Sequence, residues 1–566
     1  MDEPPTSCHS DRAERVEESH RLTRRLILHP TSAPLRESDK GGHGGPPLQT
    51  SLTLRPLPLS SLVSRRIQVD DSLSGPCRVR IRTVKQQRFI RMWALWGGIY
   101  LVLAIIGPNG LVPVPIWPVV SQHVLQARSW LGLDIRVPGS GAEPERRIEV
   151  SPRLDVTPYF RNQVIRDPRE NTLVSNLAVA LPGPDGILVP AQDVPGTDSD
   201  PRLIEALRCY VGFPPGPAFV LTPLLAIFRG VLSTQWLGAL MGGLAVALID
   251  WLIGVWVGIF GLSHGRPQKN ALCALAGAGT LWIWMAPDGG TFLFAQTVGV
   301  TFLTLSLALA WSGHRWVAGL AFGLALTSRP AMLGALPLLV ALHLWHERCH
   351  AFGLRTAVGS GRLKPLVVRM APLMIGPMVF GGAALALNAL RFGSLVQFGY
   401  RFMLVPPVLR ERLMEHGQLS WAYVGRNLHW VGWQWPVAVF DAGGNLVFPY
   451  LVSDPRGMGL FWVTPAFVGI FVALWARGRH EGRLLLAAWV SLVLCCLPGL
   501  LYYNTGWVQW GGRFLMDAWP IWLMLAAVGL RRLPPALSIV LIVLSVLSNL
   551  WAALLIALRV WPGCCS

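Results

Sequence analysis

Residues 237–262 read LGALMGGLAVALIDWLIGVWVGIFGL, a run of 26 residues with one acid, Asp250, and no base. About 20 consecutive apolar residues cross the hydrocarbon of a bilayer as a helix, and this run exceeds that. Trp93–Ile106 and Leu537–Leu558 are of the same kind. Working outward gives eleven apolar runs, at about 92–108, 233–261, 270–286, 291–311, 315–328, 330–346, 366–388, 458–476, 483–501, 517–530 and 535–558. They predict an all-α polytopic membrane protein with about eleven transmembrane helices. Of the 566 residues, 52% are hydrophobic and only 14% charged, where soluble domains carry about 25% charged residues. The 25 Trp suit wide membrane interfaces, where indole rings settle.

The net charge of +18 raises the question of nucleic acid. Lys and Arg concentrate in short loops and in the N-terminal segment, which retention on the cytoplasmic side explains, so no nucleic-acid partner is expected. The nine Cys follow no metal-binding spacing; Cys495–Cys496 and Cys564–Cys565 are adjacent pairs, not CxxC motifs. Buried, inert thiols are the expectation.

Residues 1–91 are rich in Pro, Ser, Gly and Arg and carry no signal-peptide apolar region. They are expected to be a disordered basic segment, with Met92 as an alternative start. The 92–530 region forms the transmembrane module, with long outer loops at 109–232 and 389–457. Residues 531–566 add a last helix and a short tail. Within the first outer loop, Val119–Leu131 is expected to be an amphipathic helix lying at the surface. Phe213–Phe228 opens with FPPGP and is short, so it is expected to be juxtamembrane or re-entrant.

Orientation follows from the loops. With the N-terminus inside, the loops His264–Lys269, Gly313–Arg315, Glu347–Arg369, Arg477–Arg483 and Arg531–Pro535 face the cytoplasm, and all carry Lys or Arg. The C-terminus then lies outside. The opposite face receives the acidic and aromatic segments, so any chemistry is expected there.

Asp288, in the turn WMAPDGG, is the first candidate: an acid at the mouth of the bundle, fit for a general base or a metal ligand. The same residue also fits a plain turn-forming Asp before two glycines. Arg329, in LTSRP, can hold a lipid phosphate or snorkel as an end-cap. NALRFGSLVQFGYRF (388–402) supplies Arg391, Tyr400 and Arg401, and YYNTGWVQWGGRFLMD (502–517) supplies Arg513 and Asp517. The last two are four apart, the spacing of an intrahelical ion pair. Arginines among aromatic rings at one interface suit a phosphorylated, sugar-bearing lipid, and also an ordinary aromatic belt. Asp250 lies within a span, where acids are costly and often functional. His123 and His416 are lone outer histidines, and Gly277 and Gly279 read as helix-packing positions.

Four ordered pieces carry a resemblance: YVGFPPGPAFVLTPL (210–224), GLAFGLALTSRPAMLGALPLL (319–339), LNALRFGSLVQFGY (387–400) and GWVQWGGRFLMDAWP (506–520). Together they resemble the GT-C superfamily of integral membrane glycosyltransferases, in the bacterial branch of protein O-mannosyltransferases and lipid A aminoarabinose transferases. The resemblance implies a polyprenyl-phosphate-linked sugar donor, an acid in the first outer loop acting as base or metal ligand, and basic residues that stabilise the departing lipid phosphate. It implies a bacterial inner-membrane location and a periplasmic-side acceptor. Arg329, Arg391, Arg401 and Arg513 match the basic positions, and Gln296 and Tyr400 fall near the same region. The family's early acid is missing: GPNGLVPVPIWPVVSQHVLQARSWLGLD offers none before Asp134. The expected acids are therefore Asp288 and Asp134, with a divalent metal an open option. The competing readings are a transporter of lipid-linked glycans and a degenerate homologue that binds without turnover.

Overall fold

The computed structural model describes residues 86–106, 121–132, 178–182, 188–190, 208–228, 232–262, 265–350, 363–402, 407–454, 456–475, 481–506, 509–558 and 560. Among them, seven helices are long and apolar enough to cross a membrane: Gln87–Ile106, Thr234–Ile259, Thr291–Trp311, Val368–Phe392, Glu481–Leu501, Arg513–Leu530 and Pro535–Ala557. The first eight α-helices are α1 (Gln86–Ile106), α2 (Gln122–Trp130), α3 (Gly216–Ile227), α4 (Thr234–Ile259), α5 (Arg266–Ala278), α6 (Trp282–Asp288), α7 (Thr291–Trp311) and α8 (Arg315–Ser328).

The eleven runs of the sequence thus become seven long helices and several short ones. The run at 270–286 is divided where Gly279 closes α5 and Thr280–Leu281 interrupt before α6. The run at 330–346 opens as a tight 3-10 turn, Pro330–Ala335, because Pro330 has no N–H to continue α8. The run at 458–476 breaks into Leu460–Val463, Pro465–Val468 and Gly469–Ala473. Residues 213–228 form α3, 12 residues long; at 1.5 Å per residue it rises about 18 Å, too little for a hydrocarbon layer of about 30 Å. The 109–232 segment also holds a small antiparallel sheet, β1 (Ala178–Pro182) between β2 (Leu188–Pro190) and β3 (Arg208–Tyr210). The 389–457 segment holds a hairpin, β4 (Val437–Phe440) with β5 (Leu446–Val452).

Burial sorts the long helices into two sets. Every residue of Trp519–Leu530 is buried, and most of α4 and α7 are too. These form the interior. Trp282 and Trp519 stack there at 4.9 Å, with the Trp519 Nε1–H donated to Thr280 Oγ1 at 3.0 Å and the Trp282 Nε1–H to the Gly242 carbonyl. The outer helices instead expose aliphatic side chains, including Val102 and Ile105 on α1 and Leu537, Val540, Val543 and Leu547 on Pro535–Ala557. A helix apolar on its outward face is stable where hydrocarbon surrounds it, which makes the chain a membrane protein.

Asp250 is spent on structure. Arg88 grips both its oxygens at 3.0 and 3.1 Å, and Lys269 stands 3.8 Å away. The pair ties α1 to α4, next to Trp96, which packs on Gly277 of α5 as small-residue packing requires. Cys273, Cys495 and Cys496 are buried free thiols.

A close helix crossing lies between α8 and the helix Leu363–Gly376. A Cβ on Gly323 would run into the backbone of Gly376, and one on Gly319 into the Pro372 carbonyl. Gly323→Val is expected to destabilise the fold by ~1–3 kcal/mol through overpacking. Its apparent melting temperature in detergent should fall well below that of an exposed control such as Val317→Ala.

Candidate functional site

The site begins at the turn between α6 and α7. Gly289 ends α6 in the left-handed region, φ 74°, the conformation a helix C-terminus favours for glycine. A Cβ there would also collide with the backbone nitrogen of Gln235 at 2.5 Å. The Thr234 hydroxyl donates to the Gly289 carbonyl at 2.8 Å, fixing the turn against α4. Asp288 is partly buried, and its Oδ1 accepts the Gly290 N–H at 2.8 Å. That contact is the turn-forming role expected of it. Burial pushes its carboxyl above the usual carboxylate range, partly offset by the Gly290 N–H and by the positive charge of Arg513.

Arg513 opens a 3-10 turn, Arg513–Ala518, that leads into Trp519–Leu530. Its guanidinium lies over two rings, 5.3 Å from the Phe292 centroid and 5.4 Å from that of Phe514. Its buried Nε has no hydrogen-bond partner, and among the described residues the guanidinium makes no ion pair. The backbone N–H is held by Gln509 Oε1 at 3.0 Å.

Asp517 pairs elsewhere than its sequence spacing suggests. In a 3-10 turn, positions three apart eclipse, so a residue four along is rotated off Arg513's face. Asp517, nearly fully buried, instead meets Arg329: Nε–Oδ1 is 3.1 Å and Nη2–Oδ2 is 3.0 Å. Arg329 is set for this by its extended backbone, φ −144°, before Pro330. Gln296 of α7 closes the group, donating to Asp517 Oδ1 at 2.8 Å and to the Arg513 carbonyl at 2.6 Å. The Arg329 guanidinium also lies 5.5 Å from the Phe514 centroid.

Tyr400 lies within electrostatic reach of Arg329 and Asp517 and beside the Tyr502 phenol, and burial keeps its own phenol protonated well above the usual range. Arg391 has a different position. It donates to the carbonyls of Val211 (2.8 Å) and Leu387 (3.3 Å) and to Asn388 Oδ1 (3.0 Å), and it packs on Phe392. It braces the start of α3's approach against the 388–402 segment that carries Tyr400.

Six of the residues singled out in the sequence therefore converge: Asp288, Gln296, Arg329, Tyr400, Arg513 and Asp517. Arg391 is a strut behind them. Asp134 and the side chain of Arg401 lie outside the described residues. Among the described residues no three His, Cys, Asp or Glu side chains gather to hold a metal ion, so no step is assigned to one.

No family model matches the chain, and no curated protein or solved structure does either. The site's chemistry therefore rests on its own geometry. It joins an acid of raised pKa, a cation with free hydrogen-bonding capacity and a neutralised Arg–Asp pair at the ends of membrane-length helices. Phe292, Phe514 and Gln235 were not singled out in the sequence. The turn Asp288–Thr291 pointed to the neighbourhood of Phe292 and Gln235, and the 502–517 stretch to that of Phe514.

Proposed function

We propose that this protein is a membrane glycosyltransferase of the GT-C kind, moving a sugar from a polyprenyl-phosphate carrier to an acceptor on the outer side of a bacterial inner membrane. The observation that carries the reading is Arg513, whose guanidinium lies over two phenyl rings, makes no ion pair among the described residues and is within electrostatic reach of Asp288. A desolvated guanidinium with free donors suits a phosphate, which accepts it in a fork of two hydrogen bonds. In this reading Asp288 takes the proton of the acceptor hydroxyl as its oxygen bonds to the anomeric carbon. The bond from that carbon to the phosphate oxygen breaks, and the electron pair leaves with the polyprenyl phosphate, whose charge Arg513 receives. Arg329, already balanced by Asp517, keeps the floor of the site from accumulating charge.

The ordered motif resemblance supports the same reading, as do the basic loops, whose charge favours a cytoplasmic N-terminus and a periplasmic C-terminus. Eleven crossings require α5 with α6, α8 and the shorter helices to complete their spans by pairing end to end or by local thinning of the bilayer. The transport reading drew on Asp250, and that acid is occupied by Arg88 and Lys269.

Binding of undecaprenyl phosphate to protein in nanodiscs tests the role of Arg513. Arg513→Met, which keeps the stem and removes the charge, is expected to weaken binding ~10–100-fold, the worth of a charge-assisted hydrogen bond of ~1.5–3 kcal/mol. Unchanged affinity would remove the phosphate from this position.

A further inference from the structure

Helix α2 was expected to lie at the surface with a wet face, yet six of its nine residues are buried: His123, Val124, Leu125, Gln126, Ala127 and Ser129. Val124 and Ala127 pack into a small core with Ala218 and Leu221 of α3 and Phe294 of α7. His123, Gln126 and Ser129 recur every three residues, so they share one side of the helix. Both ring nitrogens of His123, the Gln126 Oε1 and the Ser129 hydroxyl are buried without a hydrogen-bond partner. Gln126 and the Thr291 backbone lie close to the imidazole but do not complete hydrogen-bond geometry with it. Buried polar groups are nearly always satisfied, so several unsatisfied ones along one face indicate groups placed for a ligand.

This face adjoins the site already described. The Gln122 N–H donates to Thr291 Oγ1 at 3.1 Å, one residue past Gly290. The His123 ring lies 6.0 Å from Phe213, edge to face, and Phe213 lies 4.9 Å from Phe292, the ring under Arg513. From the other side of the same turn, Gln235 brings a buried Nε2 that likewise has no partner. His123 of α2 and Gln235 of α4 therefore bring neutral donors and acceptors to residues 288–291, next to the Phe292 ring that Arg513 covers, and Gln126 stands beside the His123 ring.

We propose that His123 and Gln126 of α2, with Gln235 of α4, form the subsite that reads the hydroxyl groups of an uncharged sugar on the donor lipid. The inference rests on the glycosyltransferase reading and extends it to the class of sugar. The three side chains present uncharged groups, each able to bond a hydroxyl as donor or acceptor. Burial lowers the pKa of His123 to about 3, against the opposing effect of the Thr291 backbone and Gln126. The imidazole accordingly stays neutral, with one nitrogen to donate and one to accept. A site built from such groups rejects a ligand lacking the hydroxyls, because its own polar atoms are then left unpaired.

The test compares two lipids on full-length protein in nanodiscs: undecaprenyl phosphate and undecaprenyl-phosphate mannose or glucose. Wild type is expected to prefer a glycosylated lipid at least ~10-fold, as one or more hydroxyl hydrogen bonds would give. His123→Phe, which keeps a ring against Phe213, and Gln126→Leu should each remove most of that preference while leaving affinity for the bare lipid as it was. A His123→Phe protein that retains the full preference, or that weakens both lipids equally, would overturn the subsite while leaving the phosphate reading intact. A wild-type protein that binds neither lipid would overturn both.

Discussion

Asp288→Asn is expected to lower sugar transfer by ~10²–10⁴-fold, the contribution of a positioned general base. The amide keeps the size of the carboxyl and an oxygen that can accept the Gly290 N–H, so the turn and the fold should persist. Size-exclusion profile and melting temperature should match wild type while turnover collapses. The wild-type rate should also rise with pH, since the base works only when ionised. Its midpoint should lie above the ordinary carboxylate range, because burial holds this carboxyl up. Asp288→Asn should lose that limb. Wild-type turnover in the Asn variant would leave Asp288 with its turn-forming role alone.

The second large effect concerns stability. Asp517→Ala leaves Arg329 without the carboxylate that takes its Nε–H and Nη2–H, and frees the Gln296 amide as well. Removing one partner of a buried pair costs ~3–5 kcal/mol, mainly from the charge left behind. The protein should therefore lose most of its yield in detergent, or melt far earlier than wild type. The double change Arg329→Met with Asp517→Leu removes both charges together and should recover a large part of the loss. If the double variant is no more stable than Asp517→Ala, the unpaired charge is not the cause. Activity need not return with stability, because Arg329 also helps form the wall at Phe514.

The sequence made the membrane character plain because hydrophobic length is a local property. Residues 237–262 were enough to announce a helix like α4, and the exposed aliphatic faces of the outer helices fit the same account. Helix breaks were less legible. Gly279 and Thr280 sit inside an apolar run, and the new start there is favoured by distant contacts, the packing of Trp282 on Trp519 and the Trp519 bond to Thr280. The turn at Asp288 was legible because two glycines follow it, and its neighbours were not. Arg329 and Asp517 are 188 positions apart, and no local pattern records that they meet. The four-residue spacing of Arg513 and Asp517 suggested a pair on one α-helical face, but the chain forms a 3-10 turn there and rotates the acid toward Arg329. In α2 the expected helix formed, yet its polar side chains turned inward, because α3 and α7 cover it.

The most direct measurement of the central claim is the release of polyprenyl phosphate from a panel of polyprenyl-phosphate sugars, using purified protein in nanodiscs with and without divalent metal. The account predicts release with at least one sugar in the presence of acceptor, lost in Asp288→Asn and weakened in Arg513→Met. Tight lipid binding with no release, across every sugar and acceptor tried, would contradict it.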